Sequence, residues 1–203
     1  MRNKILVLLL VSSFAFLSCA KEEIKNINST GKNIICFGNS ITAGYGVNKE
    51  EAYPYLLEKM LNFPVINAGL DGDTTTEALK RIKTDVLDKE PYLVIIELGG
   101  NDFLRQVPLE TTLKNIEEMI KQIQAKGAMV ALCDISVGPF MGDYYQGYKN
   151  LSKKYKTIFI PHLLRGILTQ PELKTDYLHP NAQGQKLISQ RIYKVIGEYL
   201  RLK

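Results

Sequence analysis

"YLVIIELGGND", residues 92–102, begins as a strand with almost no polar residue. From Tyr92 to Leu98 the run is apolar except for Glu97 and rich in β-branched residues, so neither face is left for water. A strand of that kind belongs inside a parallel sheet covered on both sides. Four further strand-like runs surround it: "NIICFG" (33–38), "PVINAG" (64–69), "AMVALCDIS" (128–136) and "TIFIP" (157–161). Amphipathic stretches separate them. "PYLLEKML" (54–61) reads as a helix, and "TTTEALKRIKTDVLD" (74–88) opens on the capping-box pair Thr74 and Glu77. "LETTLKNIEEMIKQIQAKG" (109–127) spaces Leu113, Ile116, Ile120 and Ile123 on one helical face and stops at Gly127. "GPFMGDYYQGYKNLSKKYK" (138–156) is a loop turning into a helix. The last helix starts near Asn181 and runs to the C-terminus with Leu187, Ile188, Ile192, Val195 and Ile196 inward. This alternation predicts an α/β protein, a three-layer α/β/α sandwich on a five-stranded parallel sheet of flavodoxin-like type. Ligands of such sheets sit outside the carboxyl ends of the strands.

The composition fits one soluble domain of 203 residues, 45% hydrophobic and 23% charged, with material for a real core. The formal charge of +5 is spread over lysines with acids between them, the pattern of a solvated surface and not of a nucleic-acid binder. The N-terminus differs. Arg2 and Lys4 precede an apolar run from Ile5 to Leu17, too short to span a membrane comfortably, and "FLSC" then leads into polar sequence. These are the parts of an export signal, and "FLSC" resembles a bacterial lipobox with Cys19 as the lipid-bearing residue. The expectation is a signal peptide over 1–18, a linker over 19–32 and one folded domain over 33–203, held at the cell envelope by a lipid anchor; simple secretion is the alternative. Cys36 and Cys133 lie in core strands, where an exported protein could pair them or keep them as small buried hydrophobes. No C-x-x-C or Cys/His cluster suggests a metal, and no cofactor is implied.

Small and polar residues follow each strand. Gly38-Asn39-Ser40 follows the first, Asn67-Ala68-Gly69 the second, and Gly99-Gly100-Asn101-Asp102 the third, while "TDYLHPN" late in the chain holds Asp176 and His179. A serine hydroxyl becomes a nucleophile when a histidine takes its proton and an acid holds the other ring nitrogen. Asp176 and His179 are three residues apart, within reach across a single turn. The backbone N–H groups of Ser40 and Gly69 and the amide of Asn101 come from three neighbouring strand ends and can form an oxyanion hole. Ser40 read alone is equally a helix cap.

"GNSITAGYG", "NAGLDGDTT", "GGND" and "DYLHPN" resemble, in order, the four blocks of the SGNH superfamily, also called GDSL hydrolases, in its thioesterase I, lysophospholipase and arylesterase branch. The resemblance covers roughly residues 33–200. It implies a serine esterase with Ser40, Asp176 and His179 as the triad and Ser40, Gly69 and Asn101 as oxyanion donors. Fatty acyl esters such as lysophospholipids, or aryl esters, are the implied substrates; removal of acetyl groups from glycans is another activity of the superfamily. One departure stands out: the first block usually reads Gly-Asp-Ser and here has Asn39, which keeps the shape of aspartate without its charge. That change also allows a binding lipoprotein that has lost catalysis.

Among the remaining candidates, Asp73 and Thr74 read as helix caps, and Asp102 as a loop organiser. His162 has no aspartate at a suitable sequence distance and reads as structural. Phe140, Met141, Tyr144 and Tyr145, with Tyr148, form a cluster that is either core or the wall of an acyl pocket.

Overall fold

The computed structural model describes residues 23–138 and 141–200. The expected signal peptide, Cys19 and Phe140 lie outside the described residues. Five strands, β1 (Asn33–Gly38), β2 (Val65–Gly69), β3 (Pro91–Glu97), β4 (Met129–Cys133) and β5 (Ile158–Ile160), form one parallel sheet in the order β2-β1-β3-β4-β5. The apolar run at 92–98 is the central strand, and every residue of β3 is buried.

Among the described residues seven α-helices accompany the sheet: α1 (Ser40–Ala43), α2 (Tyr53–Leu61), α3 (Thr75–Ile82), α4 (Gly100–Leu104), α5 (Leu109–Ala125), α6 (Gly142–Tyr155) and α7 (Ala182–Ile196). The Thr74 hydroxyl caps α3 by accepting from the Glu77 N–H, and the Glu77 carboxylate accepts the Thr74 N–H in return. Past Ile82 the helix widens into a π turn over Lys83–Leu87. The last helix stops at Ile196, short of the expected C-terminal end.

Strand alternation splits the core in two. Ile34, Cys36, Leu93, Ile95 and Ala131 face α2 and α7, meeting Leu57, Ile188, Ile192 and Ile196. Ile35, Phe37, Val94, Ile96 and Val130 face α3, α5 and α6, meeting Ala78, Ile116, Ile120 and Tyr148. Burying each large side chain contributes about 1.5–3 kcal/mol. Cys36 and Cys133 are both free. β3 lies between their strands, so their backbones are about 10 Å apart, beyond disulfide reach.

The expected linker is part of the fold from Glu23 onward. Ile24 is buried in the first core. The Asn26 amide donates to the carbonyls of Gln124 and Ala128, both at 2.9 Å, and closes the sheet's N-terminal end. At the opposite end, the chain leaves β1 for β2 on one side while β3 lies on the other. That switch point is where this strand order leaves room for a ligand.

Candidate active site

The nucleophile turn is built by close packing. A Cβ at Gly38 would stand 2.0 Å from Thr42 Oγ1, so only glycine lets α1 fold back against the end of β1. Asn39 caps α1, its Oδ1 accepting the Ile41 N–H at 2.9 Å. Ser40 is therefore not the cap, and its hydroxyl is available for another partner. Gly44 ends α1 in the left-handed region at φ 87°.

That partner is His179, whose Nε2 lies 3.0 Å from Ser40 Oγ. Its Nδ1 lies 2.8 Å from Asp176 Oδ2 and 3.0 Å from Oδ1. Asp176 also accepts the backbone N–H groups of Leu178 and His179, at 2.8 and 2.9 Å. The Leu178 N–H first, then the His179 ring, hold the Asp176 carboxyl at about 2, so it is ionised wherever the protein works. The Thr175 N–H donates to the His179 carbonyl and Asn181 caps α7, which fixes the loop at both ends. Tyr45 packs on the imidazole with ring centroids 4.4 Å apart.

Gln185, which the sequence did not single out, joins the two halves of this arrangement. It is fully buried on α7, accepts the Tyr53 N–H and donates to the Ile41 carbonyl, both at 3.0 Å. The helix that carries the histidine loop is thus bonded to the helix that carries the serine.

Asn101 lines the same cleft, and its side-chain amide donates one hydrogen to the Asp73 carbonyl at 2.8 Å, leaving the second for another acceptor. Gly69 is differently placed. Its N–H donates to Asn67 Oδ1 at 2.9 Å, and it is not among the residues lining the cleft. A Cβ there would stand 2.2 Å from the Ala43 backbone nitrogen, so close approach of β2 to α1 alone requires glycine.

Asp102 accepts from the Thr75 N–H, the Thr75 hydroxyl and the Thr112 hydroxyl, and so organises the loop. Asp73 pairs with Arg81 at 2.6 Å and does not cap α3. Arg81 also donates to the carbonyls of Ala68 and Gly38 and stacks over Phe37, tying together the mouths of β1 and β2.

A cleft of about 270 Å³ opens beside Ser40. Ile41, Phe103, Leu104, Ile135, Leu164 and Leu168 supply much of its apolar wall, joined by Met141. Of the cluster that reads as either core or pocket wall, Met141 lines the cleft, while Tyr144 and Tyr145 do not. Helical rotation turns Tyr144 inward behind Phe103, ring centroids 5.7 Å apart, and carries Tyr145 round to stack on His162 at 4.9 Å. The aspartate that local spacing denies His162 comes from the end of β4: Asp134 Oδ2 lies 3.3 Å from its Nδ1 and accepts its backbone N–H. Among the described residues no group of three or more His, Cys, Asp or Glu side chains is arranged to hold a metal.

Glu97 lies at the floor of the cleft and is 1% exposed. Its Oε2 accepts from Thr42 Oγ1 at 2.9 Å and its Oε1 from the Asn39 amide at 3.3 Å. Burial pushes its carboxyl up to about 7, against these two donors. It is the one charged residue in the run that reads as β3, and that was its only signal in the sequence.

Residues 36–187 match the GDSL-like Lipase/Acylhydrolase family, over most of the described chain. The chain belongs to that family. An arylesterase of Vibrio mimicus is 31% identical over 184 residues, 85% of this chain and 92% of its own. The thioesterase 1/protease 1/lysophospholipase L1 of Escherichia coli K12 is 27% identical over 77% of this chain and 79% of its own. The psychrotrophic esterase EstA of Pseudoalteromonas sp., solved inhibited by monoethylphosphonate, superimposes with a TM-score of 0.76 at 30% identity, covering 84% of this chain and all of its own. The GDSL-family chain is thus an esterase by kinship, on a sheet with helices on both sides.

Proposed function

We propose that this GDSL-family enzyme hydrolyses acyl esters through Ser40, His179 and Asp176. The observation that carries the reading is His179 bridging Ser40 Oγ at 3.0 Å and Asp176 at 2.8 Å. Ser40 Oγ attacks the ester carbonyl carbon as its proton passes to His179 Nε2, and Asp176 stabilises the imidazolium through Nδ1–H. The tetrahedral oxyanion takes hydrogen bonds from the Ser40 N–H and the free hydrogen of the Asn101 amide. Gly69 N–H, bonded to Asn67 Oδ1, can serve as a third donor only if that bond is given up. His179 returns the proton to the leaving alcohol or thiol, leaving an acyl-serine. Water then attacks that acyl group, giving its proton to His179, and Ser40 regains its hydroxyl as the acid departs.

The apolar wall favours an acyl or aryl group over a polar sugar, which ranks acyl and aryl esters above acetylated glycans. The short apolar N-terminal run and "FLSC" support an exported enzyme carrying lipid on Cys19. The test is hydrolysis of p-nitrophenyl esters from acetyl to palmitoyl by residues 20–203. The reading expects activity that peaks on an intermediate chain and falls at least a thousandfold in Ser40→Ala. Well-folded wild-type protein with no activity on any ester would bring forward a binding role on the same scaffold.

A further inference from the structure

Glu97 is a buried acid with no role in the serine chemistry above, and its two hydrogen-bond donors flank the nucleophile. Asn39 and Thr42 stand on either side of Ser40 and Ile41, and each gives one hydrogen bond to a different Glu97 oxygen. No lysine or arginine pairs with it among the described residues. The titratable groups around it are Tyr53 of α2, Cys36 of β1, Cys133 of β4 and Tyr148 of α6, with Asp134 beyond β4. His179 faces it across the cleft, and Arg81 sits on the Gly38 carbonyl. A carboxylate held by two neutral donors and no cation in such surroundings is costly to ionise, which is why burial raises its carboxyl.

Asn39 makes sense of the arrangement. Its Oδ1 accepts the Ile41 N–H while its Nδ2 donates to Glu97, so the side chain must be both acceptor and donor. An ionised aspartate at position 39 can only accept; beside Glu97 it forces the two carboxyls to share a proton. Asn39 with ionised Glu97, and an aspartate in its place with protonated Glu97, therefore carry the same single negative charge and the same hydrogen-bonded pairs. They differ in which residue bears the charge and in which of the two donates in the bond between them.

We propose that Glu97 is the positioning residue of the nucleophile turn, its carboxylate supplying beside Ser40 the negative charge that Asn39 does not carry. This rests on Ser40 being the nucleophile. Ionised Glu97 accepts from both Asn39 and Thr42 and holds the turn from both ends. Protonated Glu97 must donate through one oxygen, and Thr42 then reverses from donor to acceptor, with its proton directed to Tyr53 OH, 2.9 Å away. Activity accordingly rises as Glu97 ionises, in the neutral range where burial has moved it.

The test is a charge swap. Wild type, Glu97→Gln, Asn39→Asp and the double variant are assayed for kcat and KM on one p-nitrophenyl ester from pH 5 to 9. Glu97→Gln fixes the neutral state: kcat falls about tenfold at pH 8 with KM little changed, and one ionisation disappears from the profile. In the double variant the new carboxylate accepts from both the Ile41 N–H and the new side-chain amide, whose oxygen accepts in turn from Thr42. Every bond is then rebuilt with the charge moved to the other residue, and the double variant recovers most of the loss. Asn39→Asp alone retains both carboxyls, and its ionisation moves up by about a unit or more. A Glu97→Gln profile that superimposes on wild type, or a swap no better than Glu97→Gln, overturns the proposal. So does an unmoved profile in Asn39→Asp, which still bears on it if Glu97→Gln fails to fold. Loss of all these differences because Ser40→Ala is as active as wild type sinks the serine reading instead.

Discussion

The side-chain amide of Asn101 donates one hydrogen to Asp73 and has a second to give, beside a hydroxyl bonded to His179. Asn101→Ala removes that donor: kcat falls about 100-fold with KM nearly constant, since the bond strengthens only as the oxyanion forms. Asp176→Asn keeps the shape of the loop but no longer fixes the imidazole tautomer or balances the imidazolium. Its kcat drops by about 10³–10⁴ in the same ester assay, with thermal stability little affected at this half-exposed side chain. Ser40, Asp176 and His179 were legible because each sits in a short local pattern, and Asp176 and His179 meet within one turn. Glu97 and Gln185 were not, because what defines them is a partner far along the chain. Glu97 bonds residues 55 and 58 positions away, and Gln185 bonds one 132 positions away.

At the scale of elements, the site depends on how tightly the strand mouths are drawn together. Arg81 of α3 reaches two strand-end carbonyls and the buried Asp73. Arg81→Met leaves Asp73 buried without its cation, and chemical denaturation should register a loss of about 3 kcal/mol. Gly69→Ala pushes β2 against the backbone of α1 and shifts the nucleophile turn. A fall in melting temperature together with kcat is the expected result, whether or not Gly69 N–H binds an oxyanion. The five strands and the longer helices were legible from periodicity and from the Thr74–Glu77 capping pair. The helices α1 and α4, at four and five residues, are too short for any period to show. The choice between core and pocket wall for Tyr144 and Tyr145 was not legible in the sequence, because adjacent residues on a helix point about 100° apart and need not share a fate. One entered the core and the other went to the β5 edge.

For the whole molecule, a five-stranded parallel sheet with β3 inside it was legible from the buried run at 92–98, yet the place of residues 23–32 against the N-terminal end of the sheet was not. Their polar composition reads as a tether, while the bonds from Asn26 to Gln124 and Ala128 span about a hundred positions. Global stability also carries the mark of Glu97. Its folded carboxyl, at about 7, binds its proton more tightly than the ordinary 4.5 of an unfolded chain. Its contribution is therefore fully present below about pH 4.5 and is lost as the pH rises through 7, a change on the order of 3 kcal/mol. Glu97→Gln, neutral throughout, should lose less stability than wild type between pH 5 and 8 when both are followed by thermal melting.

Covalent capture asks whether Ser40 is the nucleophile. The protein spanning residues 20–203 is incubated with a fluorophosphonate, its intact mass is measured, and the adduct is mapped by peptide mass spectrometry. One adduct on Ser40, formed in wild type and lost in Ser40→Ala and His179→Ala, is the predicted result. An adduct on another residue, or none from a protein that still hydrolyses esters, contradicts the account.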